Sequence, residues 1–215
     1  MEGVAGSLLA VVEANSKDSR AWRPETLDRL IVESARLVVG VNAVEDTASH
    51  FADAVRAWFR DPANELRDMV AVLYCSVWVT DSSVLIVHAG DVRAHVLRDG
   101  ELLASTRDHS LANVIRDIDP TCSHTEGGQP VDFLAGVPVR SLGVADESYE
   151  VTRLECPGAK TVIVCTSGVH RYREAASYIA ELDLAELVPT RTGTPLRGYI
   201  GRLRYEPWLP ASASN

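Results

Sequence analysis

The chain is poor in the residues that most often announce a chemistry. Among its 215 residues are only four cysteines, and Cys75, Cys122, Cys156 and Cys165 stand too far apart to form a C-x-x-C pair. That spacing excludes the usual zinc ribbons and dithiol redox motifs. Three of the four sit in or beside apolar, strand-like runs, which reads as buried reduced thiols. None of the histidines falls into an H-x-x-x-H spacing, so no helical metal-ligand pair is announced. No apolar run approaches the length that crosses a bilayer, and the short stretch Leu8 to Val12 follows Glu2 rather than a basic region, so it does not read as a signal peptide. The expectation is a cytoplasmic protein without membrane contact. Basic side chains are in the minority, 21 against 30 acidic for a net charge of −9. A field of that sign opposes non-specific binding to nucleic acid. No internal repeat is visible.

What is present is the material of one globular domain: 46% apolar and 24% charged residues, enough chain to bury a core without disulfides or metal. The run SLLAVVE, Ser7 to Glu13, reads as a buried strand, and the polar EANSKDSR after it as a loop. Leu27, Leu30, Ile31, Ser34, Ala35 and Val38 follow Pro24 at helical spacing, with Gly40 placed to end the helix. A second helix carries Phe51, Ala52, Val55, Trp58 and Phe59 and stops at Asp61-Pro62. The texture then changes to strands rich in β-branched residues: Met69 to Val79, Ser83 to Ala89 and Val92 to Arg98. The turns TDSS and Arg98-Asp99-Gly100-Glu101 predict successive antiparallel pairing. Asp117 to Pro138 reads as a long surface loop, and two further strands, Tyr149 to Cys156 and Lys160 to Thr166, are joined by Pro157-Gly158. After Gly168 a helix places Ala175, Tyr178, Ile179 and Leu182 on one face. Arg191, Arg197, Arg202 and Arg204 make the tail locally basic, which fits either a solvated face or a binding surface. The element order predicts an α+β protein, with helices packed on sheets rather than alternating βαβ units.

Three local features carry the functional signal: Ala89-Gly90-Asp91-Val92-Arg93-Ala94 between two strands, Thr106-Arg107-Asp108-His109-Ser110 after a hairpin, and Cys165-Thr166-Ser167-Gly168 at a strand end. Asp108, His109 and Ser110 are triad residue types, but consecutive side chains cannot converge on one another. His88 and His95 flank the Gly90-Asp91 turn, with His109, His124 and His170 elsewhere in the chain. Taken in order, strand, Gly-Asp-x-Arg, strand, turn, T-x-D-H-S, the later Arg140-Ser141-Leu142-Gly143 and a strand ending in Ser-Gly, the chain from about Leu8 to Leu182 resembles the metal-dependent type 2C (PPM-type) protein serine/threonine phosphatases. Their corresponding stretches read roughly GDSRAYL, LTxDHS, RxLG and CSDG.

The resemblance implies a four-layer α-β-β-α sandwich, two mainly antiparallel sheets flanked by helices and shortened at both termini. It also implies a domain over residues 1–190 with a basic extension over 191–215. Family members use two or more Mg²⁺ or Mn²⁺ ions held by aspartates, and a bridging water attacks phosphorus. Such hard cations need several oxygen ligands. Position by position, the ligands are thinned here. Glu13 stands at the bridging aspartate of D-G-x-G-G with Ala14 at the following glycine, and Ser167 stands at the aspartate of S-D-G. The amino-terminal R-x-x-N-E-D segment has no room before Leu8, and the tail from Gly193 has no aspartate for the family's D-N motif. Asp91 alone matches an acid of the metal cluster, at the position of an accessory ion, and has a structural alternative as a turn residue.

The expectation is therefore a pseudophosphatase: a degenerate phosphatase-fold protein acting through protein contacts as a regulatory or scaffolding subunit. A protein partner is implied, with a hetero-oligomer as one arrangement. Glu13, Asp91, Ser167 and His170 form the candidate pocket. No cofactor is expected unless Glu13 and Asp91 keep weak Mg²⁺ or Mn²⁺ binding. The alternatives are the fold reused for another chemistry with a partner completing the site, and a weakly active metal-dependent phosphatase.

Overall fold

In the computed structural model the described residues are 7–14, 72–141, 149–170 and 200–206. The helices expected over 24–40 and 46–60, most of the helix after Gly168 and the tail up to residue 199 lie outside them. Eight strands form two four-stranded antiparallel sheets. The first has the order β1-β2-β3-β6, from Ser7–Ala14, Val72–Val79, Ser83–Ala89 and Glu150–Glu155. The second has the order β5-β4-β7-β8, from Glu101–Ser105, Arg93–Arg98, Lys160–Cys165 and Ile200–Tyr205. Every pairing within the two sheets is antiparallel.

Alternation along the strands sets which side chains meet between the sheets. Leu73, Cys75, Val77 and Val79 of β2 and Val84 and Ile86 of β3 face Ala94 and Val96 of β4, Val162 and Val164 of β7, and Tyr205 of β8. Leu9, Leu154 and Leu203 pack at the margins. Each fully buried Val, Leu or Ile contributes about 1.5–3 kcal/mol. The residues between them, Tyr74, Ser76 and Val87 on one sheet, His95, Ile163 and Cys165 on the other, are buried as well. That is why β2 and β7 read as continuous apolar runs rather than as alternating ones. All four cysteines are free, and Cys75, Cys156 and Cys165 are buried.

The turn between β4 and β5 has both central residues at positive φ, Asp99 at 54° and Gly100 at 83°. That is the hairpin geometry Asp-Gly supplies. At the same end of the molecule as the β2–β3 turn, Lys160 is buried. Its ammonium donates to the carbonyl oxygens of Thr80 (2.8 Å), Asp81 (3.2 Å) and Cys156. Tyr205 donates to the Asp81 carboxylate at 2.8 Å. Burial, with Asp81 adding to it, pushes the Tyr205 hydroxyl up to about 12.

Two findings differ from expectation. The stretch read as a loop from Asp117 to Pro138 carries a 3-10 helix, Val131–Gly136, and is preceded by an unanticipated helix, α1, Leu111–Ile118. Ser110 caps α1 by accepting from the Asn113 N–H. Within the segment expected to be an extension, β8 pairs with β7 along six residues, and its Leu203 and Tyr205 join the core.

Candidate functional site

Strand ends of both sheets meet opposite the Lys160 end. β3 stops at Ala89, and the Gly90-Asp91-Val92 turn carries the chain into β4 in the other sheet. β7 stops at Cys165 and runs into a one-turn helix, α2, Ser167–His170. Cys165 is the register partner of Arg93, so Ser167 and His170 follow the strand end that lies beside the start of β4. On the other sheet Glu13 pairs with Leu73, whose side chain lies against Gly90. Glycine suits that position: its φ is +93°, which residues with a side chain rarely adopt, and a Cβ would push on the tip of Leu73. Main-chain pairing thus puts Glu13, Asp91, Ser167 and His170 at one end of the sandwich. The Glu13 side chain lies outside the described residues.

The Gly-Asp-x-Arg and T-x-D-H-S motifs are joined by direct bonds. Arg93 grips Asp108 with two parallel bonds, Nε to Oδ1 at 2.7 Å and Nη2 to Oδ2 at 2.8 Å. Thr106 Oγ1 accepts from the Ala94 N–H at 2.9 Å. Asn113 donates to the Asp108 carbonyl. His170 Nε2 lies 2.6 Å from the Asp91 carbonyl oxygen and 3.9 Å from Asp108 Oδ1. Because a carbonyl only accepts, Nε2 carries the proton and Nδ1 is bare. That Nδ1 is buried and has no hydrogen-bond partner among the described residues. Burial lowers the His170 pKa to about 4, with Asp108 opposing and Arg93 reinforcing the shift. His95 is likewise pushed by burial to about 4, with Arg93 and His170 adding to it. Its Nε2 lies 4.0 Å from Cys165 Sγ.

A second cluster, absent from the sequence-based candidates, adjoins the first. His88 and Glu150 are direct partners across β3 and β6, and the His109 ring stacks on His88 with centroids 4.3 Å apart. The donor atoms of His88, His109 and Glu150 fall within 4.8 Å of one another, a spacing that suits a metal ion. The hydrogen bonds argue otherwise. The Gly90 N–H points at His109 Nδ1 (3.3 Å), so the proton sits on Nε2 and is donated to Glu150 Oε2 at 3.1 Å. A ligating Nε2 would need its proton moved to Nδ1, against Gly90 N–H. The guanidinium of Arg140 also stands 3.4 Å from His109 Nε2 and 3.5 Å from Glu150, where a cation would go.

No protein-family model matches the sequence, and no curated protein matches it. The architecture does match solved structures. A serine/threonine phosphatase from S. agalactiae is 16% identical, with 95% of this chain and 88% of that one covered at a TM-score of 0.63. The Mycobacterium tuberculosis phosphatase PstP/Ppp is 19% identical, over 83% of this chain and 76% of that one, at 0.61. A Stage II Sporulation E family protein from Thermanaerovibrio acidaminovorans is 14% identical, over 94% and 97%, at 0.56. The chain has the PPM phosphatase fold.

The catalytic domain of PstP has been solved with two manganese ions. Such a pair of hard cations takes oxygen ligands. Asp91, 1% exposed, offers a carboxylate, Ser167 a hydroxyl and His170 a nitrogen, while the Asp108 carboxylate is held by Arg93.

Proposed function

We propose that this chain is a catalytically degenerate phosphatase-fold protein that acts through protein contacts as a regulatory or scaffolding subunit. The observation that carries the reading is the donor set at the strand ends. In the position of a second metal-binding aspartate stands Ser167. The other buried acid of this end, Asp108, is tied to Arg93 rather than facing a cation site. A hydroxyl is a poor ligand for Mg²⁺, and among the described side chains the remaining carboxylate, that of Asp91, would not by itself hold two hard cations. Protein contact is supported by the surface of the segment after His109. Ile118 is 80% and Phe133 71% exposed, with Val114, Val137 and Val139 also at the surface. Exposed apolar side chains along one segment favour a contact surface there. Calorimetric titration of the full chain with Mn²⁺ tests the reading. No binding at micromolar concentrations supports it, and two-site uptake overturns it.

A second reading, in which the fold serves another chemistry completed by a protein partner, is favoured by one observation. His170, whose Nδ1 is bare and buried, belongs to the same helical turn as Ser167. A base of that kind can activate a hydroxyl. Labelling of Ser167 by a serine-reactive phosphonate, lost in His170→Gln, would support it.

A further inference from the structure

His109 is where the segment carrying α1 and the 3-10 helix leaves and rejoins the sheets. Its main-chain N–H donates to Gly90 O at 2.9 Å, and its carbonyl accepts from Val139 N at 2.8 Å. Two residues further on, Leu111 N–H donates to Val137 O at 2.9 Å. The ring adds a bond to Gly90 through Nδ1 and one to Glu150 through Nε2. His109 thereby joins the β3–β4 turn, β6 and both ends of the segment from Ser110 to Val139.

We propose that His109 is an acid-sensitive latch, fastening the segment between Ser110 and Val139 to the sheets while its ring is neutral and releasing it when the ring is protonated. The geometry is built for the neutral ring. A proton added to Nδ1 would face the Gly90 N–H, two donors with no acceptor between them. The new charge would stand beside the Arg140 guanidinium and against the stacked His88 ring. Glu150 on β6, with Asp108 of the preceding loop, is the favourable counterpart, so the imidazolium is drawn toward β6 and away from Gly90. Burial outweighs these acids and lowers the His109 pKa, with Arg140 on the same side as burial. The folded state therefore prefers the neutral ring. The latch contributes its full stability above the unfolded-state value of about 6.5 and loses it as the pH falls through the folded value. This inference does not depend on whether the strand-end site binds metal.

Amide hydrogen exchange of the full chain at pH 7.5 and 5.0, corrected for the intrinsic rate, tests it. In the wild type, protection over residues 111–139 should fall by up to about tenfold per pH unit below 6.5. In His109→Asn the amide oxygen can still accept from Gly90 but cannot be protonated, so the pH dependence of that segment should vanish. Glu150→Gln, at a half-exposed position, should move the opening to lower pH. Equal loss over residues 111–139 in the wild type and His109→Asn, or no loss there in the wild type, overturns the proposal. If His109→Asn does not fold, an unmoved midpoint in Glu150→Gln does the same.

Discussion

Asp108 and Gly90 are the residues that hold the two sequence motifs in place, and each yields a measurable consequence. The Asp108 carboxylate is buried and makes two charge-assisted bonds to Arg93, whose side chain is one-third exposed. Asp108→Asn keeps the volume but removes the charge and one acceptor, leaving the guanidinium poorly matched. A loss of about 2 kcal/mol is expected, read as a lower urea midpoint at unchanged slope. Gly90→Ala combines a positive φ with a push on the tip of Leu73, and should cost about 1–3 kcal/mol in the same measurement. The sequence displayed both motifs, because Gly-Asp-x-Arg and T-x-D-H-S are each short and local. Their union was hidden, since Arg93 and Asp108 meet across a hairpin. The His88, His109 and Glu150 cluster was hidden for the same reason: its members come from β3, a loop and β6, and pairing across strands leaves no fixed spacing in the chain.

Elements were legible in proportion to how strongly burial imposes a period on them. β2, β3, β4 and β7 are apolar or β-branched along their length because both of their faces are covered, and their bounds fall within a few residues of expectation. α1 does place Leu111, Val114, Ile115 and Ile118 at helical spacing behind the Ser110 cap, but it is only eight residues long. Val114 and Ile118 are exposed and only Ala112 is fully buried, so the stripe is not one that core packing imposes. β8 was obscured by its arginines. Arg202 and Arg204 occupy the exposed alternate positions of a strand whose other face carries Leu203 and Tyr205. Lys160 belongs at this scale too, since its ammonium ties the β2–β3 turn to the β6–β7 turn through three carbonyl oxygens. Lys160→Met leaves those oxygens without their donor. A loss of about 2–3 kcal/mol is expected, with faster amide exchange confined first to residues 80–83 and 156–160.

At the scale of the whole molecule, a two-sheet sandwich closes one end with the Lys160 node and gathers histidines at the other. His88 and His95 are held by burial to about 4, with the stacked His109 adding to the first and Arg93 to the second. Both are neutral in the folded chain and charge on unfolding below about 6.5. Their contribution is therefore complete above that pH and is withdrawn as the pH falls toward 4, at up to about 1.4 kcal/mol per pH unit for each ring. Urea unfolding across pH 7 to 4 should show this slope, reduced in His88→Gln. The same end carries Asp91, Ser167 and His170 among the described side chains. The most direct test of the central claim is Mn²⁺-dependent hydrolysis of an aryl phosphate by the full chain. The account predicts turnover no greater than that of Mn²⁺ alone, unchanged in Asp91→Ala. Robust turnover that requires Mn²⁺ and disappears in Asp91→Ala would contradict it.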